Sequence, residues 1–211
     1  LNVKIDDDAI VGFQQETYPI IRGNSLYTIV DGPSWTQAEA NSVKLGGHLV
    51  SVKDAEENLF IGSIILANGT ESVTYWIGLT DSAIEGEWQW SSGESLTYTN
   101  WSPGEPNAND VVAGPEDYAA LYATSTPAWF DISNGNEYFR DRGFQSIGIA
   151  ETPFIRRGDS AYAIVEGPTW EEAEANAVKL GGHLVTINDA AENEWLSNQS
   201  WNGGPSLYIG Y

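Results

Sequence analysis

Residues 75–107 read YWIGLTDSAIEGEWQWSSGESLTYTNWSPGEPN. The stretch is dense in aromatics, Thr and Gly turns, which predicts strands and loops rather than helix. YWIGL, Tyr75 to Leu79, is the first expected strand. EWQW, with Trp88 and Trp90 alternating, is the second, and LTYTNW is the third. The end of the stretch has a different chemistry: Glu105 and Asn107 place a carboxylate and an amide oxygen on either side of Pro106. Oxygens of this kind are the hard donors that Ca²⁺ takes.

Upstream the pattern is helical. Leu26, Tyr27, Ile29 and Val30 form a short expected strand, ended by the turn Asp31-Gly32-Pro33. Ser34 with Gln37 is spaced as a capping box, the run to Leu45 is rich in Ala and Glu, and Gly46 is the stop. Asp54 with Glu57 opens a second helix in the same way. Two helices followed by short strands in about 110 residues indicate an α+β domain.

The same block occurs twice. RGNSLYTIVDGPSWTQAEANSVKLGGHLVSVKDAEEN starts at Arg22, and RGDSAYAIVEGPTWEEAEANAVKLGGHLVTINDAAEN starts at Arg157, 135 residues later. In the second block Thr169 with Glu172 and Asp189 with Glu192 are the matching caps, and LYIGY, Leu207 to Tyr211, corresponds to YWIGL. So long a period fits whole domains in tandem rather than a solenoid. The expected organisation is 1–21 as a linker or the end of a preceding repeat, 22–150 as one complete domain, and 151–211 as the N-terminal half of a second.

The ordered series YWIGLTD, EGEWQW, NWSPGEPN, PEDYAAL (Pro115 to Leu121) and WFD (Trp129 to Asp131) resembles the C-type lectin-like family. The resemblance covers about Arg22 to Asp131, and Arg157 onward. It implies the C-type lectin-like fold: two helices, small antiparallel sheets and a long calcium-binding loop, a fold in which Trp88, Trp90 and Trp101 are expected as core rather than as a stacking platform for sugar rings. By the same resemblance Glu105, Asn107, Glu116 and Asp131 hold a calcium ion, Pro106 follows a cis bond, and vicinal sugar hydroxyls bind through the ion with Glu105, Asn107 and Glu116. Glu-Pro-Asn implies the mannose, glucose or fucose class. Asp81, Glu85 and Asp117 match an auxiliary calcium site of the family, with a solvated acidic loop as the plain alternative.

Two departures stand out. Where the family has Trp-Asn-Asp, Phe130 replaces the Asn and supplies no side-chain oxygen. The site is then weaker, is completed by a loop group such as Asn109 or Asp110, or does not take metal. The family's disulfides are also missing: the chain has no Cys, and Tyr118 and Ser133 stand about where two would be.

Composition narrows the partners. Thirty Asp and Glu against nine Lys and Arg give a net charge of −21, which repels nucleic acid and anionic lipid. No apolar run approaches the roughly 20 residues of a membrane span. His48 and His183 recur in GGHLV without a second His nearby and read as structural imidazoles. No catalytic motif stands out, so an enzyme is not expected. Asn68, Asn100 and Asn198 open N-glycosylation patterns. The absence of Cys, the Asn-Gly loops and the repeat point to a bacterial extracellular or cell-surface protein. Two functions fit: a tandem lectin or adhesin that binds glycans in a calcium-dependent way, and a structural module of a surface layer, fibre or matrix that binds no sugar and associates with copies of itself through the second block.

Overall fold

The structure is a computed structural model and describes residues 3–4, 19–68, 73–108, 114–122, 127–136, 140–199 and 208–210. After a two-residue strand β1 (Val3–Lys4), β2 (Ile20–Arg22) turns into β3 (Ser25–Asp31). The Ser34 hydroxyl accepts a hydrogen bond from the Gln37 N–H at 3.3 Å and caps α1 (Trp35–Lys44), a contact worth about 1 kcal/mol. Gly46, at φ +82°, ends the helix in the left-handed region that glycine enters without steric cost. β4 (His48–Leu49) follows, and Asp54 Oδ1 accepts from the Glu57 N–H at 2.8 Å to open α2 (Ala55–Asn68).

The YWIGL run lies in β5 (Val73–Thr80), in which all eight residues are buried. β6 (Gln89–Trp90), β7 (Tyr118–Tyr122), β8 (Trp129–Ile132) and β9 (Gln145–Pro153) complete a sheet ordered β2-β3-β9-β5-β7-β8, with β4 on β9 and β6 on β5. β9 lies beyond the residues that carry the family resemblance, yet it is central: antiparallel to β3 and parallel to β5.

Successive residues of β5 feed opposite faces. Trp76 joins an apolar cluster with Leu26, Trp35, Leu45, Phe130 and Ile132, whereas Tyr75 and Ile77 join Tyr27, Ile61, Trp90 and Trp129. A strand buried on both faces reads as an unbroken apolar run, as this one does. Three buried indole N–H groups find acceptors: Trp35 donates to Ile77 O at 2.8 Å, Trp76 to Gly32 O at 2.9 Å and Trp129 to Asn58 Oδ1 at 2.8 Å.

The expected third strand, LTYTNW, does not form. Residues 91–100 contain no strand, and Trp101 makes only an isolated bridge to Trp129. Rings hold this segment instead. Tyr98 and Trp101 pack edge-on against Trp129, with centroids 5.8 and 5.7 Å away, and Trp88 lies 4.7 Å from Trp101. The tryptophans are therefore core, as expected.

The second sequence block builds the same local structure as the first. β10 (Ile155–Arg157) and β11 (Ser160–Tyr162) form a hairpin joined by β1, and α3 (Trp170–Lys179) and α4 (Ala190–Ser197) follow with Thr169 and Asp189 as caps. Tyr27 Oη donates to Glu57 Oε1 at 2.8 Å, and Tyr162 Oη donates to Glu192 Oε1 at 2.9 Å. His48 Nδ1 lies 2.6 Å from Glu39 Oε1 and His183 Nδ1 2.6 Å from Glu174 Oε1, so both imidazoles are tied to the preceding helix.

Candidate functional site

The long loop is fastened to β8 by main-chain bonds. The Trp129 N–H donates to Asn100 O at 2.8 Å, the Ser102 N–H to Trp129 O at 2.8 Å, and the Glu105 N–H to Ser102 O at 2.9 Å. The Glu105–Pro106 bond is cis. The next two amides turn onto Asp131: Asn107 N–H lies 3.0 Å from Oδ2, and Ala108 N–H donates to the same oxygen at 2.8 Å. The Asn107 side chain donates to Glu105 Oε2 at 2.6 Å. Three of the four residues expected to hold calcium thus stand together, on two elements 24 residues apart in sequence.

Their charges oppose one another. The Glu105 carboxyl is pushed up to about 7, first by its burial, then by a hydrogen bond to Asp131 and by the Asp131 charge; Asn107 pulls the other way, and Glu116 adds a further upward push. The fourth expected residue, Glu116, therefore acts on the same centre.

Phe130 is turned away from the loop. β7 and β8 pair Ala119 with Asp131 and Ala120 with Phe130, so the pleat sends neighbouring side chains to opposite faces. Phe130 is 5% exposed in the cluster with Trp76 and Ile132, stacked on Tyr122 at 4.1 Å between centroids. The alternative ligands Asn109 and Asp110 lie outside the described residues. Tyr118 pairs with Ile132, next to Ser133, so the place where the family has cysteines is bridged here by the β7–β8 ladder.

The residues of the auxiliary set are linked through one main-chain bond and through their charges. Asp81, 2% exposed, accepts from the Gly86 N–H at 2.8 Å through Oδ2, and its own N–H donates to Asp117 O at 3.1 Å. Asp81 Oδ1 is buried with no hydrogen-bond partner among the described residues. Glu85 is shifted upward first by the Asp81 charge and then by slight burial, Asp117 and Asp131; Asp117 is shifted upward by burial and by Asp81. Among the described residues no three His, Cys, Asp or Glu side chains stand gathered as a metal-holding group. The donor chemistry nonetheless fits a hard cation: mutually repelling carboxylates, an amide oxygen and an orphaned buried carboxylate oxygen.

Two features of the candidate site escaped the sequence: the main-chain amides of Asn107 and Ala108 as holders of Asp131, and the positive φ of +50° at Ala108. An Ala carries no signal for that conformation. Of the glycosylation patterns, Asn100 spends its amide on Pro127 O at 2.7 Å, Asn198 is exposed, and the side chain of Asn68 lies outside the described residues.

The family pattern described as the Lectin C-type domain matches residues 31–134. A perlucin-like protein of Mytilus galloprovincialis is 32% identical over 110 residues, which is 52% of this chain and 68% of that protein. The chain belongs to the C-type lectin domain family. Human C-type mannose receptor 2 is 26% identical over 194 residues, 84% of this lectin-domain chain but only 13% of the receptor. Among solved structures, the cow C-type carbohydrate-recognition domain of CD23, determined in the presence of a GlcNAc2Man3 oligosaccharide, superposes with a TM-score of 0.54 at 26% identity, covering 68% of this chain and 98% of that one. The relatives named here are animal proteins, and the family is one of lectins rather than enzymes. Among the described residues no helix is long and apolar enough to cross a membrane.

Proposed function

We propose that this C-type lectin domain binds carbohydrate at the loop closed by Asp131, with calcium held by Glu105, Asn107, Glu116 and Asp131 and a second ion by Asp81, Glu85 and Asp117. The observation that carries it is the convergence of Glu105, Asn107 and Asp131, joined through the Asn107 side chain and main chain. A bound calcium ion would offset the repulsion among the carboxylates and leave coordination positions for vicinal hydroxyls. The protein's own part is to set the geometry: β8 fixes Asp131, the ring cluster around Trp129 fixes the loop root, and Asn107 and Glu105 present one donor and several acceptors to a sugar. The Glu-Pro-Asn order favours mannose, glucose or fucose. The repeated block supports a tandem extracellular or cell-surface lectin in which weak sites add by avidity.

Calorimetric titration with calcium, followed by mannose, tests this, with Glu105→Gln/Asn107→Asp as control. Saturable calcium binding that is lost in the variant, and mannose binding only when calcium is present, is the expected result. No heat at millimolar calcium would overturn it. In that event the inward turn of Phe130 and the repeated hairpin and helix pair favour the second reading, a structural module of a surface layer, fibre or matrix.

A further inference from the structure

The C-terminal corner of α1 is where the second block meets the first. The Glu166 N–H donates to Lys44 O at 2.9 Å, satisfying one of the carbonyls a helix end leaves open. A Cβ on Gly46 would overlap the carbonyl oxygen of Ile164. Between β9 and β10 there is no linker: Phe154 alone separates them, is 6% exposed, and donates its N–H to Asn24 O at 3.0 Å. A cavity of about 460 Å³ flanks the contact, with Val43, His48, Phe154 and Tyr162 among its walls. The matching corner of the second block differs in one respect. Gly181 has nearly the same backbone, φ +75° against +82°, but a Cβ there would meet only the Pro19 ring, at 3.1 Å. The turn explains a glycine at both positions, whereas the close approach of another backbone explains it only at Gly46.

We propose that the Lys44–Gly47 corner is a docking socket for the Ile164–Glu166 segment of the following block, so that the two blocks move as one rigid body. Combined with the tandem lectin reading, successive sugar loops are then displayed at a fixed distance and rotation, suited to a surface on which glycans are themselves regularly spaced. Docking itself rests only on contacts within this chain and stands whether or not the loop binds sugar.

The chain has no Cys, so Leu59→Cys with Val178→Cys, at two exposed helical positions, gives a unique spin-label pair across the junction. Pulsed electron–electron distance measurements on the full chain should give one narrow distribution. Gly46→Ala should at least double its width, and Gly181→Ala, which carries the same turn strain, should leave it unchanged. Glu166→Pro removes the N–H given to Lys44 without touching the turn and should broaden the distribution as well, which decides the matter if Gly46→Ala fails to fold. A broad distribution in the parent, equal effects of the two glycine variants, or a narrow distribution in Glu166→Pro each overturns the proposal. Loss of calcium or mannose binding with the narrow distribution retained would sink the lectin reading alone.

Discussion

Asp131 Oδ2 stands 2.8 Å from the Ala108 nitrogen, and this buried carboxylate is what closes the long loop. With the Asn107 amide at 3.0 Å from the same oxygen, two main-chain donors depend on one side chain. Asp131→Ala strips both of their acceptor. Hydrogen bonds to charged groups contribute about 1.5–3 kcal/mol, so a loss in that range is expected in urea denaturation, with calcium affinity down at least tenfold. A change below about 0.5 kcal/mol would show that the loop is closed by something else.

Restoring the family residue by Phe130→Asn should not restore a ligand. The position faces the inner cluster under Tyr122, so the substitution opens a cavity and buries an amide. Removing a buried Phe costs about 3–5 kcal/mol, and calcium affinity should fail to rise. Tighter calcium binding in this variant would mean that the β8 pleat does not set the direction of residue 130.

Trp129→Phe keeps the ring cluster but leaves Asn58 Oδ1 buried without its indole donor. The expected loss is about 1–3 kcal/mol. Asn58→Leu on top of it should recover part of that loss by removing the orphan, which a double-mutant cycle would measure.

Two carboxyls give pH dependences of opposite sign in calcium-free buffer. Glu105, raised to about 7 from an ordinary 4.5, takes up a proton on folding between those values, so its contribution to stability falls as pH rises through that window. Glu192 is lowered, chiefly by the Asn188 N–H and against the opposing effect of burial, so its contribution is present above the ordinary carboxylate range and is lost as pH falls through its depressed value. The melting temperature should therefore pass through a maximum on the acid side of 7. Glu105→Gln should flatten the alkaline limb, and scanning calorimetry in chelator would show an unchanged limb if another group is responsible.

Local chemistry was legible from the residues alone. Ser34 and Asp54 cap their helices as their spacing to Gln37 and Glu57 predicts, because a cap is decided within four residues. β9 was not, since its partners β3 and β5 lie about 120 and 70 residues upstream and no neighbouring residue marks it as central. LTYTNW has strand-forming residues, but its rings pack on Trp129 while its backbone stays out of the sheet, an outcome set by Trp129, about 30 residues further on, rather than by local residue type. At the candidate site, the family resemblance singled out Glu105, Asn107 and Asp131, which the structure brings together. The direction of Phe130 was not legible, because it follows from the β7–β8 register rather than from residue type.

The hydrogen bonds that join the root of the loop to β8 run between main-chain atoms, Asn100 O, Ser102 N–H and both polar groups of Trp129, and the rings packed beside them, Tyr98 and Trp101, lie before Pro103. Side chains from Pro103 to Ala108 could then be exchanged wholesale while the attachment persists, provided Asp131 keeps its two amides. The fold in effect separates the handle from the blade, and new binding specificities could be selected from libraries confined to those six positions.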